Sequence, residues 1–201
     1  MPITNYSTLV TALDGKSGYL HRSDVTAKIP DWIALAESDM QVRCKLLEFE
    51  TTATVSVTAG AGSLPSDFVG MRSIYWDGNT KVPLDFIAPA RFDLLRNVSG
   101  EPRYYTLVGT QVRVAPSATG NVAMTYQARF TAISSTMGTN SIINNFPEAY
   151  LYGAMAQAAI WEEDDEKATK YLGLMDAAVS RIRSNNTHRK YAGATLQVRP
   201  R

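Results

Sequence analysis

The sequence predicts an α+β fold, a helical bundle built from N-terminal and C-terminal helices with an inserted β-rich module. Apolar residues recur every three or four positions toward both ends, at Ile33, Ala36, Met40, Cys44 and Leu47 and again at Ala168, Tyr171, Leu172, Met175, Ala178, Val179 and Ile182. That spacing is the seam of an amphipathic helix. Between them the period falls to two: Thr54-Val55-Ser56-Val57-Thr58 alternates polar and apolar and is rich in β-branched residues, as a half-buried strand requires. Helices flanking a block of strands, without strand–helix alternation, define the class. The expected boundaries are 1–50 and 139–186 for the helical core, 51–138 for the β-rich module and 187–201 for an extended basic tail.

The elements follow in order. Leu9, Val10 and Leu13 share one side of a short helix from Ser7 that ends at Asp14-Gly15-Lys16-Ser17-Gly18. Ile29-Pro30-Asp31 opens the next helix, with proline in the first turn and an acid beside the unpaired amides. After the strand at Thr54–Thr58, Gly60-Ala61-Gly62-Ser63 and Leu64-Pro65 break the pattern. Met71 to Trp76 and Lys81 to Ile87 then form a hairpin across Asp77-Gly78-Asn79. Pro89 to Leu95 is a short helix, Tyr104 to Leu107 and Gln111 to Ala115 are a second hairpin about Val108-Gly109-Thr110, and Val122 to Phe130 is a last strand. Asn145-Phe146-Pro147-Glu148 starts a helix thinned by Gly153, Ala154, Ala156, Ala158 and Ala159 for close packing. Asp164 or Asp165 caps the final helix, so the two form an antiparallel pair. Leu151, Met155, Leu172, Met175 and Val179 are its expected core.

Length and charge bound the function. A chain of 201 residues buries roughly 70% of its unfolded surface and needs no covalent staple. A formal charge of +1 argues against bulk nucleic-acid binding. The charge is unevenly placed, because no acid follows Asp176 whereas Arg181, Arg183, Arg189, Lys190, Arg199 and Arg201 do. The single cysteine, Cys44, falls on an apolar helical face as a small hydrophobe, and Met1-Pro2-Ile3-Thr4-Asn5 lacks the basic and apolar runs of a signal peptide. Cytoplasmic synthesis and no membrane partner are expected.

Catalytic, metal-ligating and cofactor-binding residues are all expected to be absent. Gly15-Lys16-Ser17 lacks the glycine five positions earlier that a phosphate loop needs, since Val10 stands there. Two histidines and one cysteine show no zinc-ligand spacing, and no Gly-x-Ser-x-Gly elbow occurs. Glu162-Glu163-Asp164-Asp165-Glu166 crowd five carboxylates, but glycoside cleavage needs two that face each other across a substrate, and a run at a helix turn points several ways into water. Tyr104-Tyr105 and Tyr150 with Tyr152 stand at strand and helix spacing, where aromatics serve as core or interface. A glycan-cleaving (muralytic) enzyme and a nucleic-acid-binding module are the alternative classes.

The order of the segments is more specific than their chemistry. Ile29-Pro30-Asp31-Trp32-Ile33 with Leu35-Ala36-Glu37, Leu64-Pro65-Ser66-Asp67-Phe68, Pro83-Leu84 and Gly100-Glu101-Pro102-Arg103-Tyr104-Tyr105 follow one another, then Val114-Ala115-Pro116, Val122 to Tyr126, Thr139-Asn140 and Phe146-Pro147-Glu148-Ala149-Tyr150-Leu151-Tyr152. In this order and spacing the chain resembles the head-to-tail adaptor, or connector, proteins of tailed bacteriophages, especially short-tailed ones. The resemblance implies a structural virion protein at the head-tail junction. Its partners would be the portal protein, tail proteins of the nozzle or tube, and itself in a ring of about twelve, with genomic DNA passing through the channel without sequence-specific binding. On that reading Arg189, Lys190, Tyr191, Leu196, Val198 and Arg199 bind the portal, the tail adding to it as a strand.

Overall fold

Most of the helices begin where the chain offers a cap or a proline. Asn5 accepts the amide of Thr8 at 2.9 Å and opens α1, Tyr6–Lys16, which buries Leu9 and Leu13. Beyond α2, Ser23–Thr26, Pro30 and Asp31 start α3, Ile29–Arg43, whose buried face carries Ile29, Trp32, Ile33, Ala36, Glu37 and Met40. The computed structural model describes residues 2–16, 23–44, 46–78 and 80–191. The chain divides into two units, Met1–Leu47 with Phe130–Arg201, and Glu48–Arg129.

In the first unit the returning chain forms α5, Ser141–Asn145, capped by Asn140, whose Oδ1 accepts the amide of Ile143 at 3.0 Å. It continues into α6, Pro147–Trp161, and α7, Asp165–Tyr191. The expected antiparallel pair is present, with Asp164 as the cap: its Oδ1 accepts the amide of Lys167 at 3.0 Å. α6 packs against α1, α3, α5 and α7, so it is apolar nearly all round, and its small residues set the helix spacing. A Cβ on Gly153 would lie 2.8 Å from the Ala36 Cβ and 3.2 Å from Met175 Cε.

The second unit holds two four-stranded sheets among its described residues, ordered β1-β8-β3-β4 and β2-β7-β6-β5. The first combines β1, Glu50–Val57, β8, Gly120–Ala128, β3, Phe68–Asp77, and β4, Lys81–Pro83. The second combines β2, Ala61–Ser63, β7, Gln111–Ala115, β6, Tyr104–Val108, and β5, Asp85–Phe86. Val55, Val57, Ile74, Trp76, Met124 and Tyr126 of the first sheet and Val112 and Val114 of the second share one apolar core. The helix α4, Pro89–Leu95, buries Phe92 and contacts β6.

Four expectations are corrected. α1 runs through Gly15 and Lys16 because burial of Leu13 holds the last turn. Gly60–Ser63 is not merely a break: Ala61–Ser63 is β2, permitted by Gly62, where a Cβ would lie 2.7 Å from Val55 Cγ1. Lys81 to Ile87 is not one strand. The Leu84 amide still donates to the Ile74 carbonyl at 3.1 Å, but the next amides turn away, Asp85 donating to Arg103 at 2.9 Å and Ile87 to Tyr105 at 3.0 Å, so β5 pairs in parallel with β6 of the other sheet. Finally, Thr187 to Tyr191 continue α7 instead of forming an extended tail. The helix is held through that point by Arg183, whose Nε donates to the Arg43 carbonyl at 3.0 Å, and by Asn186, whose Oδ1 accepts the amide of Leu47 at 2.9 Å.

Candidate functional site

A buried polar knot organises the helical unit. Glu37 is only 7% exposed, and its Oε1 accepts the amide of Ile133 at 2.7 Å and the Tyr150 hydroxyl at 2.8 Å. Asn140 donates from Nδ2 to that same hydroxyl oxygen at 2.6 Å and to the Thr131 carbonyl at 2.9 Å. One helical turn along α3, Gln41 Oε1 accepts the amide of Phe130 at 3.1 Å. Thus α3 fastens the segment 130–133 through backbone donors that would otherwise be buried unpaired. Burial pushes the Glu37 carboxyl above the ordinary glutamate range, against the pull of its two donors, and burial beside Glu37 also raises the Tyr150 phenol. Sequence reasoning did not single out Glu37. Its available signal was position, four residues after Ile33 and therefore on the buried face.

The acidic turn divides its carboxylates rather than converging them. Asp164 caps α7 and pairs with Lys167 at 2.7 Å, and the hydrogen bonds from Lys167 hold its carboxyl below the usual range. Glu163, Asp165 and Glu166 are exposed. Glu162 borders a small cavity with Trp32, Met155, Lys167 and Tyr171, where burial raises its carboxyl. No second carboxylate lines that cavity, so the acid pair of a glycosidase is not assembled there. Cys44 is buried and free, and burial raises its thiol, away from the thiolate that a nucleophile needs. Among the described residues no cluster of His, Cys, Asp or Glu suits a metal ion, and no helix is long and apolar enough to cross a membrane.

Of the expected core, Leu151, Met155, Met175 and Val179 are buried, whereas Leu172 is 40% exposed. The centre of the α7 stripe is held by Ala168, Met175, Ala178 and Ile182; Leu172 lies at its rim, where the partner helix no longer covers it. Tyr150 is fully buried. Two exposed stripes remain on the helices that flank α6. On α3, Asp31, Leu35, Ser38 and Val42 are exposed at steps of four, three and four, with Leu35 53% and Val42 75% accessible. On α7, Lys170, Leu174, Ala177, Arg181, Ser184 and His188 repeat the same steps. The spacing is that of a helix–helix seam; the α3 stripe carries one acid, Asp31, paired with Lys28 at 3.9 Å, and the α7 stripe carries Lys170 and Arg181, the latter 3.5 Å from Glu148.

The expected portal-binding residues divide. Arg189 and Lys190 are exposed on the last turn of α7, the helix end that favours cations. Tyr191 closes that helix, and Leu196, Val198 and Arg199 lie outside the described residues. The sequence profile of the family described as SU10 adaptor protein matches residues 4–200. No curated protein matches the chain.

Proposed function

We propose that this chain, which belongs to the SU10 adaptor protein family, works by closing into a ring of about twelve copies through unlike surfaces of its helical unit. It is a phage adaptor protein, and so a component of the virion at the junction of head and tail. The observation that carries the ring is the pair of exposed stripes, Asp31-Leu35-Ser38-Val42 on α3 and Lys170-Leu174-Ala177-Arg181 on α7. Two different exposed stripes with apolar side chains at their centres on one unit fit a head-to-tail contact between copies, which closes when its rotation divides a full turn. Leu35, Val42 and Leu174 supply the apolar area of that contact.

In this reading the ring docks on the portal, continues the channel through which genomic DNA passes, and offers a platform to the tail proteins of the nozzle or tube. Its role is structural rather than catalytic. The basic end of α7, with Arg189 and Lys190, and the chain beyond it through Leu196, Val198 and Arg199 engage the portal, where acids on the partner pair with the cations. The test is the mass of the purified full chain alone and after mixing with a portal ring. The expected result is a folded monomer alone and about twelve copies on each portal; a mass that does not change on mixing overturns the reading.

A further inference from the structure

In the second unit a cleft opens between α4 and the second sheet. Arg113 on β7 lies directly across from Thr106 on β6, so the two side chains leave the sheet on the same side. Both bear buried polar atoms without a hydrogen-bond partner, Nε of Arg113 and Oγ1 of Thr106. Arg113 opens onto a cleft of about 250 Å³ whose walls include Gly60, Phe92, Arg96, Val114 and Ser117. No acid lines it, and neither arginine is ion-paired among the described residues.

The walls are built rather than accidental. Ser117 donates its amide to the Arg96 carbonyl at 2.9 Å, Gly60 donates to Ala118 at 2.9 Å, and Val114 donates to Gly60 at 2.9 Å. Gly60 takes φ +80, and a Cβ there would lie 2.5 Å from Ser117 Oγ, so this close turn is restricted to glycine. Two arginines that line one cleft with no acid among its walls can receive an oxyanion.

We propose that Arg96 and Arg113 form a socket for one side-chain carboxylate of a partner protein. A carboxylate at the end of a flexible stem enters the cleft beside the Phe92 ring, and its planar fork matches guanidinium. The socket itself stands on this geometry; only the assignment of its occupant to a partner protein rests on the adaptor reading, which the portal-mixing experiment tests separately.

The test is a titration of the full chain with propionate, the side-chain analogue of glutamate, following the arginine Nε–H resonances by NMR. The expected result is a saturable shift of the Arg113 signal that chloride at equal ionic strength does not reproduce, with binding weakened roughly tenfold in Arg96→Gln. Arg96 is exposed, so that variant folds even if Arg113→Gln does not. A shift that chloride reproduces, or an unchanged affinity in Arg96→Gln, overturns the socket. Displacement of propionate by a short single-stranded thymidine oligonucleotide assigns the site to nucleic-acid phosphate and overturns the carboxylate.

Discussion

Glu37 holds Ile133 and Tyr150 with one oxygen, and its two replacements separate charge from hydrogen bonding. Glu37→Ala leaves a buried amide and a buried phenol without an acceptor, a loss of about 1–3 kcal/mol for each group stranded. Glu37→Gln keeps an acceptor and removes the buried charge, so its unfolding free energy at neutral pH should stay within about 1 kcal/mol of the parent. The pH dependence follows from the raised carboxyl. The folded state holds its proton more tightly than the unfolded chain, so this group's stabilisation is full below the ordinary glutamate range and is lost as pH rises through the higher folded value. Denaturant melts of the parent should therefore lose stability across that window relative to Glu37→Gln. A constant difference between the two at every pH would refute the assignment. On α7, Met175→Ala should destabilise by about 2–5 kcal/mol because Met175 is buried, whereas Leu172→Ala should stay within about 0.5 kcal/mol because Leu172 is not.

Among the elements, α6 is the one that tolerates least. Replacing Gly153 with alanine improves helix propensity by about 1 kcal/mol, yet the added methyl meets Ala36 Cβ at 2.8 Å. Ala36 has no rotamer with which to yield, so α3 and α6 must part, and overpacking of that kind costs about 1–3 kcal/mol. The expected net effect is a lower melting temperature for Gly153→Ala, measured by calorimetry; an unchanged or higher value would show that the two helices separate freely. The same reasoning explains why this helix shows its packing role in composition, through its alanines and glycine, more clearly than in a stripe. A helix covered on most sides has no polar face to set a period.

At the level of the whole molecule, assembly and stability should separate. Leu174→Asp places a charge in the exposed seam of α7 without touching the core, so its melting temperature should match the parent while the number of copies held per portal falls in a mass measurement. Undiminished ring formation by a well-folded Leu174→Asp would remove that stripe from the contact. Deleting the residues after Tyr191 should likewise leave melting nearly unchanged, since the last turns of α7 are exposed, and should abolish portal binding measured by co-sedimentation; retained binding would move the attachment elsewhere.

The α+β class, the helix pair joined at Glu162–Asp164 and the alternating strand β8 were legible in the chain because each rests on local physics: periodicity, a proline in a first turn, a capping carboxylate. The family was legible for a different reason, the order of many short segments along almost the entire length. Other features needed the folded chain, because they depend on residues far apart in sequence. Whether Leu172 is buried depends on how far α6 covers it, and the continuation of α7 beyond Asn186 depends on contacts with Arg43 and Leu47. The departure of β5 into a second sheet depends on β6, a partner that comes later in the chain. Glu37 looked like any helical acid until Tyr150 and Ile133 came to it from more than a hundred and nearly a hundred residues away. Periodicity determines which face of an element turns inward; only tertiary packing decides how much of that face is covered and which polar groups meet beneath it.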